Sequence, residues 1–168
     1  VFLSEPFIDY LLRSNGFRVE KKQYFLEDHS IFYAAVRKEK FPCGACPGEY
    51  NENRGVYLEY IRYHDKMVRD LNSRMKGHDG DIYLFGAHVF AQYLLGFGLD
   101  SSGIRCVLDN DPQKKDLRLY GSDLMVNSPE ILRDAENPVV ILKAGVYNGE
   151  IKEGILCKIN PKVKFWED

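Results

Sequence analysis

The sequence predicts an α/β domain: a mostly parallel sheet with flanking helices, preceded by a helix–strand–strand segment and a long helix. Three observations predict it. From Asp81 onward, short apolar runs alternate with helical patterns, the mark of βαβ units and a parallel sheet. In "DIYLFGAHVFAQYLLGFGLD", residues 81–100, a continuous apolar run stops at Gly86 and a run of helical period starts at once. Upstream, Tyr57, Ile61, His64, Val68, Leu71 and Met75 recur at spacings of three and four, which draws one apolar stripe along a helix of several turns.

Taken in order, residues 4–16 read as a short helix. Ser4 is its N-cap, Glu5 and Pro6 lie in the first turn, and Phe7, Ile8, Leu11 and Leu12 make its apolar face. Asn15-Gly16 stops it, because glycine tolerates the left-handed conformation that follows a helix. Residues 17–25 and 30–36 read as two strands joined by the turn Leu26-Glu27-Asp28-His29, hence a hairpin. Residues 37–51 hold two prolines and several charges and read as a linker. The long helix covers 52–76 and ends at Gly77. Next come a strand at 81–85, a helix at 88–97, a strand at 104–108, and the polar loop Asp109-Asn110-Asp111-Pro112. A short strand near 124–126 precedes a helix begun by Ser128-Pro129-Glu130, which supplies a cap, a proline in the first turn and an acid near the positive dipole end. A strand at 138–142 leads to a glycine-broken helix from about 148, and a last strand spans 162–166. The organisation is thus 1–36, a linker at 37–51, and an α/β domain at 52–168.

With 45% hydrophobic residues, the 168-residue chain can bury a core of domain size. A net charge of −2, with 23 basic and 25 acidic residues interspersed, argues against nucleic acid as a partner. No apolar run approaches the ~20 residues of a membrane span, so a membrane partner is not expected. The opening Val1-Phe2-Leu3 has no signal-type pattern and reads as the continuation of a longer chain. Four cysteines in a chain rich in Lys and Glu fit a reducing cytoplasm better than a disulfide scaffold.

Several constellations can carry chemistry. A dinucleotide-binding turn needs glycines at 86, 88 and 91; the residues are Gly86, His88 and Ala91. The second glycine lets backbone approach a pyrophosphate, and here a histidine stands in its place. Asp109, at the end of the next strand, occupies the position from which an acid holds a ribose. The architecture is therefore Rossmann-like. The turn is either a ligand cradle, whose helix N-terminus and His88 face an anion, or a plain βαβ corner. Cys43-Gly44-Ala45-Cys46 is half a zinc site, a redox pair or an incidental surface pair; Cys106 and Cys157 sit in apolar runs and read as core. Asp28-His29-Ser30 makes His29 an acid–base candidate, or else a solvated turn. His64, on the apolar stripe, reads as packed. The loops 109–115 and 144–148 follow strands, so they fall at the carboxyl edge of the sheet, where open α/β sheets bind ligands. Lys114 can meet a phosphate there and Asn148 a polar group. The other reading is ordinary βα loops.

The order strand, Gly86-Ala87, helix, Asp109 with Pro112 and Lys114, Gly121, Ser128-Pro129-Glu130, then Tyr147-Asn148 with Glu150-Ile151, resembles the C-terminal domain of S-adenosylmethionine-dependent sugar C-methyltransferases. Residues 1–36 also resemble the end of a class I methyltransferase domain, with "DHSIFYAAVR" as its last strand. Phe90 and Tyr120 depart from that family's usual Lys and Pro. The resemblance implies a substrate-binding role for Gly86, Ala87, His88, Asp109, Lys114, Tyr147 and Asn148, with a sugar nucleotide or related small molecule as partner. It also implies S-adenosylmethionine (SAM) as cofactor of the intact protein at a site upstream of this chain, and zinc in a further domain. This chain alone is then expected to be catalytically incomplete. Two alternatives stand beside it: a structural module, homodimeric through its long helix, and an NAD-binding oxidoreductase-like domain.

Overall fold

A computed structural model describes residues 3–26, 30–38 and 45–167. The chain forms two compact units, Val1–Val56 and Tyr57–Asp168.

In the first unit, helix α1 (Glu5–Ser14) is followed by strands β1 (Phe17–Phe25) and β2 (Ser30–Arg37). The strands pair antiparallel from Phe17↔Arg37 to Phe25↔Ser30, with a bulge between Val19 and Lys21. Gly16 enters β1 at φ +78°, as the predicted helix stop requires. Ser4 does occupy the N-cap, but its hydroxyl donates to Glu49 (2.9 Å) instead of capping the helix. Lys22 joins the helix to the hairpin, with Nζ 2.6 Å from both Glu5 and Asp9. No described residue of this unit is fully buried. Asp28, His29 and Cys43 lie outside the described residues.

The second unit is an α/β/α sandwich. Its sheet contains β3 (Ile82–Phe85), β4 (Cys106–Leu108), β5 (Val126–Asn127), β6 (Val139–Leu142) and β7 (Lys164–Trp166). They lie in the order β5-β4-β3-β6-β7, and every pairing is parallel. The chain winds outward from β3 in one direction and then, from β6, in the other; this is the doubly wound arrangement of a Rossmann-like fold. Because the side chains of a strand alternate between faces, the unbroken apolar run of β3 feeds two cores. Ile82 and Leu84 join Val107, Val139 and Ile141 beneath helices α2 (Tyr50–Lys76) and α3 (Val89–Gly96). Tyr83 and Phe85 join Leu108, Val140 and Leu142 on the other face, covered by Leu132, Leu156 and Val163. Leu84, Val107, Leu108 and Val140 are wholly inaccessible, each contributing roughly 1.5–3 kcal/mol. The stripe of α2 packs through His64, Val68, Leu71 and Met75, together with Met67, whereas Tyr57 is exposed.

The structure departs from the expected elements in physically traceable ways. Ser128 caps as expected, its hydroxyl accepting from Glu130 N, yet only a 3₁₀ turn follows, Pro129–Leu132. The side chain of buried Asn160 takes the carbonyls of Leu132 (2.7 Å) and Ala135 (3.1 Å), which a longer helix would have used itself. The segment from Asn148 is a helix in three pieces, Asn148–Ile151, a π turn at Lys152–Leu156, and Cys157–Ile159. Cys106 is core, as expected, but Cys157 is exposed. Among the described residues no helix is long and apolar enough to cross a membrane.

Candidate functional site

The carboxyl ends of β3, β4 and β6 lie side by side, since Phe85 registers with Leu108 on one side and Leu142 on the other. The strand order reverses between β3 and β6, and a crevice opens at such a point in this fold class. The topology therefore brings the loops bearing Gly86, Ala87 and His88, Asp109 and Lys114, and Tyr147 and Asn148 to one sheet edge.

The β3–α3 turn is built around an imidazole. Gly86 is buried at φ +95°, and its N–H donates to Leu108 O (2.7 Å). A Cβ at Gly86 would lie 2.6 Å from Cδ2 of His88 and closer still to Nε2. His88 is the N-cap of α3, with Nδ1 accepting from Phe90 N at 3.2 Å. Accepting at Nδ1 places the proton of the neutral ring on Nε2. Burial holds the His88 pKa below its ordinary value; nearby Asp109 pulls it up and Lys114 pushes it down. The ring is therefore neutral at pH 7 and fills the space that the second glycine of a dinucleotide turn leaves open.

Asp109 is a clasp between two loops. It is buried at the end of β4. One oxygen accepts from Ala87 N (2.8 Å) and Lys114 Nζ (3.0 Å), the other from Asp111 N (2.9 Å). Burial works to raise its pKa, but the Asp111 N–H, the Lys114 ammonium and the Ala87 N–H together outweigh it, and the carboxyl titrates below its ordinary value. Both oxygens are thus engaged within the protein. The ribose-binding position named from the sequence holds the β3–α3 turn against the β4 loop.

After β6, Gly145 takes φ +58° and Asn148 Oδ1 accepts from Ala144 N (2.8 Å), which leaves the Asn148 amide protons to donate. Tyr147 is exposed. Lys143, which sequence reasoning passed over, is the first residue beyond β6. Its Nζ sits 3.3 Å from the Tyr63 hydroxyl and 5.1 Å from the ring centroid. A lysine closing an apolar strand at its carboxyl end was the available signal. His64 is buried on α2, its Nδ1 2.9 Å from Tyr60 O and its ring stacked on Phe97, a packing role as expected. Cys46 is exposed, and no group of three or more potential metal ligands occurs among the described residues.

No protein-family model matches the chain, and no curated protein is significantly similar to it.

Proposed function

We propose that the chain is the C-terminal, substrate-binding portion of a SAM-dependent C-methyltransferase acting on a nucleotide sugar or a related polar metabolite. The observation that carries this reading is the convergence of Gly86–His88, Asp109–Lys114 and Tyr147–Asn148 at the carboxyl edge of one parallel sheet, where its order reverses. These are the three loops singled out by the family resemblance. The helix–hairpin unit before them, with no fully buried residue among those described, fits the end of a catalytic domain whose sheet continues elsewhere. In this reading the methyl donor and any zinc are held by other parts of the protein, in the cytoplasm, and the chain alone transfers no methyl group.

The roles follow from the donors that remain. His88 offers Nε2–H and Asn148 its amide protons, while Tyr147 presents an exposed ring against which a sugar or base can stack. Asp109 and Lys114 hold the loops that carry these groups. A dinucleotide is disfavoured, because the His88 ring occupies the pyrophosphate position and the oxygens of Asp109 are committed.

Titration calorimetry with a nucleoside diphosphate sugar, NAD and S-adenosylmethionine tests the reading. The sugar nucleotide is expected to bind, and Asn148→Ala to weaken it by about 1.4 kcal/mol, or tenfold. Tight NAD binding, or sugar-nucleotide binding indifferent to Asn148→Ala and His88→Ala, would count against it.

A further inference from the structure

The pair Lys143–Tyr63 suggests a chemistry that the substrate-binding reading does not use. β6 is paired on both sides and all four of its residues are buried. Lys143 emerges from its carboxyl end on the same face as Val139 and Ile141, the face covered by α2. Its stem is half-buried and its amine rests against the hydroxyl and ring of Tyr63. Burial pushes the pKa of this amine down, so more of it is neutral at physiological pH than for an exposed lysine. Tyr63 also lines an open groove of about 250 Å³, with Met67, Leu71, Arg74 and Glu167 among its walls. A nucleophilic amine, a hydroxyl within proton-transfer reach and an adjoining groove are the components of an imine-forming site.

We propose that Lys143, assisted by the Tyr63 hydroxyl, captures a small aldehyde or ketone as an imine. The neutral amine attacks the carbonyl carbon, forming a C–N bond while the π pair moves to oxygen. Tyr63 relays the amine proton to that oxygen, which yields a carbinolamine. Loss of water, aided by a second proton delivered along the same path, forms the C=N bond and releases one water per carbonyl consumed. No oxidant or cofactor is required. This inference does not rest on the methyltransferase reading.

Two measurements on the whole chain test it. Competitive trace acetylation across pH reads the reactivity of every lysine without any ligand. Lys143 is expected to be acylated at lower pH than Lys66 or Lys115. Incubation with pyruvate or dihydroxyacetone, borohydride reduction and peptide mass mapping reads imine formation directly. A dominant adduct at Lys143 is expected; Lys143→Arg should abolish it, and Tyr63→Phe should slow trapping by about 100-fold, the low end for a positioned proton-transfer group. Melting temperatures of both variants guard against misfolding. Acetylation of Lys143 in line with the exposed lysines overturns the proposal, as do adducts scattered over many lysines or trapping unchanged in Tyr63→Phe.

Discussion

Replacing Gly86 by alanine tests the most specific structural claim about the β3–α3 turn, that the His88 ring packs over a buried glycine. Two costs add. A residue with a Cβ at φ +95° loses roughly 1–2 kcal/mol. The new methyl also overlaps the imidazole of His88, so the ring must leave, and with it goes the cap bond to Phe90 N. A lost N-cap costs about 1 kcal/mol, giving a total of about 2–3 kcal/mol. In a His88→Ala background the ring and cap are already absent, and Gly86→Ala should cost only the backbone share, about 1–2 kcal/mol. The double-mutant cycle should therefore show about 1 kcal/mol of coupling. Urea unfolding followed by fluorescence suits the assay, because the single tryptophan, Trp166, belongs to this unit and stacks under Arg74 at 4.5 Å. Equal costs of Gly86→Ala in both backgrounds, within about 0.3 kcal/mol, would refute the packing of His88 on the glycine.

The same clasp and its surroundings yield further expectations. Asp109→Asn keeps one acceptor where two backbone N–H groups and an ammonium need them, and should cost about 2 kcal/mol in urea unfolding. Lys114→Met removes only the half-exposed partner and should cost under about 1 kcal/mol; a larger cost for Lys114→Met than for Asp109→Asn would contradict the clasp. The folded pKa of His88 lies below its unfolded value, so its contribution to stability is present above pH 6.5 and declines as pH falls through 6.5 toward the folded value. The melting-temperature loss between pH 7.5 and pH 5 should be smaller in His88→Asn, which retains a capping acceptor, than in the parent chain. Asp109 titrates lower still, its stabilisation being lost only on the acid side of 3.8. Asn160→Ala strands two carbonyls and the Lys162 N–H and should cost about 2–3 kcal/mol, read in the same unfolding assay.

Much of this architecture was legible before any coordinates. Four-residue runs such as Ile82–Phe85 and Val139–Leu142 are apolar at every position, which only a strand buried on both faces tolerates, so the parallel sheet follows from period and composition. The stripe of α2 was legible for the same reason. Local signals failed where distant side chains decide. Nothing around Ser128 reveals that Asn160 will claim the carbonyls of Leu132 and Ala135 and limit the segment to a 3₁₀ turn. At the site, the loops could be placed at one edge by topology alone, but the role of Asp109 could not. Its carboxylate is committed to N–H groups on two loops, a pairing visible only once the turn and the β4 loop are juxtaposed. Lys143 was missed because its partner, Tyr63, is distant in sequence and on the earlier helix.

Hydrogen-exchange mapping of the chain with and without a saturating nucleoside diphosphate sugar tests the central claim most directly. The account predicts slowed exchange in the turn at Gly86–Phe90, the loop at 109–114 and the segment at 144–148, with little change along Arg118–Asp123 or Arg133–Asn137. Protection confined to those outer loops, or the same edge protected by NAD and not by the sugar nucleotide, would contradict it.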